Sequence, residues 1–165
     1  MGGASSRFGS PKALALYEGE TLAARAWRLL GEACDERLAV GKGEVELPFE
    51  VLDDGTDVRA PIAGVVAGLR AARHEVAVIV PVDTPLLTVA LLHELAARCP
   101  DVAHPESGPL PGAYRRTALP QLEDALRRGE LSLRNAISGL DVAVLAVDED
   151  ELLNVNEPGD LDRLG

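Results

Sequence analysis

The chain has 165 residues, 47% of them hydrophobic and 26% charged, the balance of one globular domain over residues 1–165 with enough volume for a filled core. A formal net charge of −11 and an aromatic content of 3% argue against general nucleic-acid binding, which needs Lys and Arg against phosphates and aromatic platforms under bases. The longest apolar run, "VAVIVPV", is too short to cross a bilayer and no signal peptide is recognisable, so a cytoplasmic protein without membrane contact is expected.

In chain order, the first stretch is "MGGASSRFGSPK". Gly2, Gly3 and Gly9 permit close backbone approach, and successive N–H groups in such a loop can form a nest for an anion. Arg7 and Lys12 add positive charge beside it. The spacing fits neither the phosphate loop with contiguous Gly-Lys-Ser/Thr nor the dinucleotide fingerprint G-x-G-x-x-G. Composition alone therefore leaves two readings open, a phosphate site and an N-terminal tail.

Leu22, Ala26, Leu29 and Leu30 then repeat at helical spacing. "RLAVG" reads as a strand and "FEVLDD" as another, ending in Asp53 and Asp54. After Pro61, a good first-turn residue, Ile62, Val65, Val66 and Leu69 predict a helix. "EVAVIVPVD" is the most strand-like stretch, continuously apolar as a strand covered on both faces should be. A helix follows from about Thr88, and "DVAH" reads as a short strand. "SGPLPGAYRR" gives a loop and then a strand, Leu119 to Leu126 a helical stripe, and "SLRNAISG" a short helix closed by Gly139. "LDVAVLAV" is a strand, and "LLNVNEPGDLDRLG" an extended piece with a short helix after it. The alternation predicts an α/β fold, three α/β/α layers about a Rossmann-like, mainly parallel sheet, with ligands at the carboxyl ends of its strands. Cys34 and Cys99 show no metal spacing and read as small apolar residues. His74, His93 and His104 fall in no motif and read as surface or structural residues.

The order G-G-x-S-x-R-x-G-x-x-K resembles the signature loop of the nucleotidyltransferase family of molybdenum cofactor guanylyltransferase, with Gly2, Gly3, Ser5, Arg7, Gly9 and Lys12 at the motif positions. The resemblance implies the fold of the nucleotide-diphospho-sugar transferases and a loop that wraps a nucleotide's phosphates, with Arg7 and Lys12 offsetting their charge. "PVDTPLL" resembles the family's C-D-[MT]-P segment and implies Asp83 as the ligand of Mg2+, which takes hard carboxylate oxygen. "APIAGVVAGL" resembles G-P-L-A-G-[IL], and "LNVNEPGDL" resembles N-[IV]-N-T-P-E-D-L, a segment beside the acceptor site that would engage Asn154 and Asn156. Asp53 or Asp54 matches a carboxylate that meets the nucleoside; the spacing to Ala60 leaves both open, with Asp54 nearer the strand end. "LPGAYRR" and "ELSLRNAI" resemble two further family segments.

By resemblance the substrates are GTP, or another nucleoside triphosphate, and a phosphorylated acceptor, in the first place molybdopterin. Arg7, Lys12 and Asp83 would form the catalytic group. A homodimer, or contact with the machinery that matures molybdoenzymes, would be natural. Two departures bear on this. The family's first strand, with the Leu-Ala before Gly-Gly, has no counterpart, and Met1 stands where the family has Ala. That implies either a natural start farther upstream or compensation by dimerisation. "VGKG" replaces the family's Asn after the second strand, so Gly41 and Lys42 leave the choice of base open. A cytidylyltransferase, a sugar-phosphate nucleotidyltransferase, a non-catalytic nucleotide-binding relative and an acidic regulatory domain are the other readings.

Overall fold

The computed structural model describes residues 12–43, 45–156 and 158–161. A 3-10 turn, Lys12–Leu14, leads into a hairpin of β1 (Leu16–Tyr17) and β2 (Glu20–Thr21). Glu18 and Gly19 turn it with φ of 51° and 80°, the left-handed pair that a two-residue hairpin favours. Periodicity does not reveal this hairpin, because two residues per strand leave no alternation to read. Helix α1 (Leu22–Ala33) starts at Thr21, whose hydroxyl accepts the Ala24 N–H at 3.2 Å.

Strands β3 (Ala39–Gly41) and β4 (Val51–Asp53) run parallel, with Gly41 opposite Asp53. Helix α2 (Pro61–Ala71) opens on its proline and buries Ile62, Val65, Val66 and Leu69, the stripe that the sequence predicts. Next come β5 (Val76–Ile79), α3 (Val89–Ala97), β6 (Val102–Pro105), β7 (Gly112–Arg115) and α4 (Leu119–Arg127). The short helix α5 (Leu133–Ala136), strand β8 (Val142–Leu145) and helix α6 (Pro158–Leu161) complete the described elements.

Four strands form one sheet in the order β5–β7–β6–β8. Strand β7 is antiparallel to β5 and β6, while β6 and β8 are parallel. The layered α/β architecture is the expected one, and the antiparallel strand at its middle has a local cause. The connection from Glu106 to Pro111 is too short for a crossover, so the chain must turn back beside β6. At the start of the return strand, a Cβ on Gly112 would stand 2.5 Å from the Pro109 carbonyl oxygen, which only glycine avoids.

Successive side chains of the sheet enter different cores, as the pleat requires. Val102 and Tyr114 pack with Ile62, Leu69, Leu122 and Leu133 of the α2, α4 and α5 layer. Ala103 and Ala113 face Leu91 and Leu95 of α3. Helices thus cover both faces of the sheet. A third, smaller cluster joins Tyr17, Leu22 and Val155.

One expectation meets a difference. The apolar strand β5 should be covered on both faces, yet all four of its residues are only half-buried. Among the described residues it pairs on one edge alone, with β7, and β3 pairs only with β4. Between the two unpaired edges lies a cavity of about 1290 Å³, walled by Ala26 and Leu30 of α1, Gly64 and Gly68 of α2, and Val78 of β5.

Candidate active site

The polar side chains of this cavity gather where the strands end. The turn after β5 carries Asp83. Its neighbour Thr84 is buried, and its hydroxyl donates to the Pro81 carbonyl at 2.9 Å. Arg25 of α1 fastens the far side of the same turn, donating from Nε to the Pro85 carbonyl at 2.6 Å while its guanidinium lies over the Tyr17 ring. The Val155 N–H donates to the Asp83 carbonyl oxygen at 2.8 Å and its side chain is fully buried. That anchor brings a late segment of the chain to the turn. Asn156 follows it, with its own N–H held by Asp160 Oδ2 at 2.8 Å.

Lys12 meets both. Its Nζ donates to Asp83 Oδ2 and to Asn156 Oδ1, each at 3.2 Å. The Lys12 side chain is 17% exposed and that of Asp83 27%, so the pair is sheltered but open to the cavity. Three residues that the sequence singles out, separated by as many as 144 positions, therefore share one contact. Asn154 lies on the same outward side as Asn156, since buried Val155 separates them, but it does not line the cavity.

The second polar group sits at the ends of β3 and β4. Lys42 follows β3 directly and Asp54 follows β4, so the parallel register sets them side by side. Lys42 Nζ donates to Asp54 Oδ1 at 2.6 Å and to the Thr56 carbonyl. The Thr56 N–H also donates to Asp54 Oδ1, at 3.2 Å. Both side chains are well buried, at 13% and 7% exposure. The adjacent carboxylate differs: Asp53 is exposed, accepts the Gly55 N–H at 2.7 Å, and shapes the turn. Of the two candidates for the nucleoside, only Asp54 lines the cavity.

Gly2, Gly3, Ser5, Arg7 and Gly9, the loop that the sequence marks for phosphate, lie outside the described residues. Sequence reasoning did not pair Lys42 with Asp54. The signal available was positional, a cation one residue past one predicted strand and an anion at the end of the next. The remaining titratable groups fit structural roles. Burial pushes the Cys34 and Cys99 thiols up, away from the reactive thiolate, and burial also raises the Tyr114 phenol, which donates to the Pro109 carbonyl at 2.7 Å. His93 Nε2 donates to the Ala33 carbonyl, His104 is buried against the Pro105 carbonyl, and His74 is exposed. Among the described residues no three His, Cys, Asp or Glu side chains cluster as a metal site, and no helix is long and apolar enough to cross a membrane.

Residues 1–144 match the family described as MobA-like NTP transferase domain. The probable molybdenum cofactor guanylyltransferase of Deinococcus radiodurans is 38% identical, over 99% of this chain and 90% of that protein. The molybdenum cofactor guanylyltransferase of Pseudomonas entomophila is 32% identical, over 95% of this chain and 91% of the relative. Among solved structures, molybdopterin-guanine dinucleotide biosynthesis protein A from Archaeoglobus fulgidus superposes with a TM-score of 0.81 at 22% identity, over 99% of this chain and 93% of the other. The 2-C-methyl-D-erythritol 4-phosphate cytidylyltransferase of Thermus thermophilus gives 0.75 at 19% identity, over 96% and 93%. At these identities the two structures share the fold.

Proposed function

The chain belongs to the MobA-like NTP transferase family and is a nucleotidyltransferase, and we propose that it transfers GMP from GTP to the phosphate of a molybdopterin-type acceptor, releasing pyrophosphate. The observation that carries this reading is the meeting of Lys12, Asp83 and Asn156 at the rim of one nucleotide-sized cavity. The names of the relatives supply the acceptor and the base.

Transfer of a nucleotidyl group asks little covalent chemistry of a protein; alignment and charge neutralisation provide most of the acceleration. Asp83 and Asn156 fit Mg2+. Both offer hard oxygens to a single cationic position, which the Lys12 ammonium marks, and Mg2+ takes one or two protein oxygens and completes its shell with phosphates and water. Asp83 and Asn156 would hold such an ion, which would supply Lewis-acid charge neutralisation to the triphosphate. Lys12 would stabilise the charge that gathers on the departing pyrophosphate, with Arg7 assisting. The backbone around Gly2, Gly3 and Ser5 would cradle the phosphates. Asn154 and Asn156 would orient the acceptor. A phosphomonoester is nucleophilic near neutral pH, so no general base is required.

Thermal unfolding with each of GTP, CTP, ATP and UTP, in the presence of Mg2+, tests the reading, because a ligand of the native state raises the melting temperature with its occupancy. GTP is expected to stabilise the wild-type chain selectively, and Asp83→Ala to lose most of that shift. A preference for CTP would replace guanylyl with cytidylyl transfer. No shift with any nucleotide would overturn the proposal.

A further inference from the structure

Three segments far apart in the chain deliver the contact among Lys12, Asp83 and Asn156. Lys12 comes on a 3-10 turn, Asp83 on the connection over residues 80–88, which holds neither helix nor strand, and Asn156 on the stretch before α6. Irregular backbone of this kind carries few hydrogen bonds of its own, so the spacing of the three side chains depends on what joins their segments. Tyr17, Leu22 and Val155 pack with Val82 and Leu86, which draws the segments together. Apolar packing is non-directional, however, and sets no angle. Hydrogen bonds must supply the direction. Between Asp83 and Asn156 the Val155 N–H does so, on the Asp83 carbonyl. Between Asp83 and the Lys12 side the corresponding link is Arg25.

Arg25 reaches both sides at once. Its Nε donates to the carbonyl of Pro85, two residues past Asp83, at 2.6 Å. Pro85 is buried, and a buried carbonyl without a donor is costly. In the other direction Nη1 donates to Glu18 Oε2 at 3.0 Å, and Cζ stands 4.9 Å from the centroid of the Tyr17 ring. Glu18 and Tyr17 belong to the hairpin that continues from Lys12, whose base is closed by the Leu22 N–H on the Ala15 carbonyl at 2.9 Å. The Glu18 side chain is 62% exposed, so this ion pair adds little stability and serves to aim the guanidinium. Only arginine combines a fixed fork of donors with a flat face for a ring; a lysine is one point charge on a flexible stem.

Resting on the nucleotidyltransferase reading above, we propose that Arg25 is a positioning residue, which braces the Asp83 turn against the Lys12 hairpin and so sets the Asp83 carboxylate where Mg2+ meets it. Arg25 does not line the cavity, and it acts through Asp83. With the brace removed, apolar packing still holds the turn near the hairpin, but the carboxylate drifts and the ion loses a well-placed oxygen.

The test is calorimetric titration of the full chain with GTP, once with Mg2+ and once with EDTA in place of the metal. The quantity read is the factor by which Mg2+ tightens GTP. Wild type is expected to gain about tenfold or more, and Arg25→Met to lose most of that factor, the scale on which supports of a metal ligand act. Affinity for GTP in EDTA should stay the same. Arg25→Lys, which keeps the charge and the stem but a single donor atom, should fall between the two. Arg28 of the same helix pairs instead with Glu20 and Glu32, and Arg28→Met should keep the wild-type factor. An arginine with a merely structural role would lower the melting temperature and leave the factor alone. A factor unchanged in Arg25→Met, or in Arg25→Lys should the first variant not fold, would overturn the inference and leave the transferase reading standing. An equal loss in Arg28→Met would overturn it as well. Wild type that fails to bind GTP, or whose binding ignores Mg2+, would overturn the reading of Asp83 itself, and the inference with it.

Discussion

The sheet formed by β5, β7, β6 and β8 and the rim of the cavity beside it put their residues to opposite uses. Strand β6 is buried along its whole length, and Tyr114 of β7 is sealed even though it carries a hydroxyl. Its one polar atom is met by the Pro109 carbonyl. At the rim, by contrast, Lys12, Asp83, Lys42 and Asp54 are charged groups sheltered from bulk water, each paired with its neighbour and lining the cavity. Packing fixes the first region in one arrangement. Charge keeps the second ready to exchange partners. The difference shows where this chain invests in stability and where it retains unspent hydrogen-bonding capacity.

That contrast can be broken by mutation. Leu95 of α3 is fully buried against the sheet, and Leu95→Ala should cost about 2–5 kcal/mol in urea unfolding. The dissociation constant for GTP with Mg2+ should stay at its wild-type value. A changed constant would mean that the sheet and the rim are not separable. A smaller effect sharpens the comparison within the sheet region. Asp101, just before β6, accepts hydrogen bonds from the Thr117 hydroxyl and the Asp141 N–H, which hold its carboxyl below the usual range. A lowered carboxyl stabilises the fold above the unfolded value near 3.9, and that contribution disappears as pH falls through the folded value. Unfolding free energies from urea titration at pH 7 and pH 3 should therefore lie farther apart for wild type than for Asp101→Asn, by less than about 1 kcal/mol for a group still open to solvent.

Much of the fold is legible in the sequence because it is periodic. The stripe Ile62, Val65, Val66, Leu69 becomes the buried face of α2, and "DVAH" becomes β6. What the periodicity conceals depends on partners. The apolar run at β5 reads as a strand covered on both sides, but burial needs a neighbour on each edge, and no pattern within the run counts neighbours. Strand β7 reads as a strand, while its antiparallel direction follows from the length of the connection before it. At the candidate site, Lys12 and Asp83 stand out through motif order, and the structure sets their side chains in contact, a closeness that no local rule requires. The choice between Asp53 and Asp54 turns on strand pleat, and the pairing of Lys42 with Asp54 on the register of two strands, neither of which a single sequence displays.

The central claim is that the Lys12 and Asp83 end of the cavity supports transfer of GMP to a phosphate acceptor. Pyrophosphate release, followed in the presence of GTP, Mg2+ and molybdopterin, tests it most directly. Release is expected only when both substrates are present, with the guanine dinucleotide of molybdopterin as product. Asp83→Ala should turn over about 10²–10³-fold more slowly, or less, while melting as wild type does without nucleotide. Release that ignores the acceptor, or that persists at the wild-type rate in a folded Asp83→Ala variant, would contradict it.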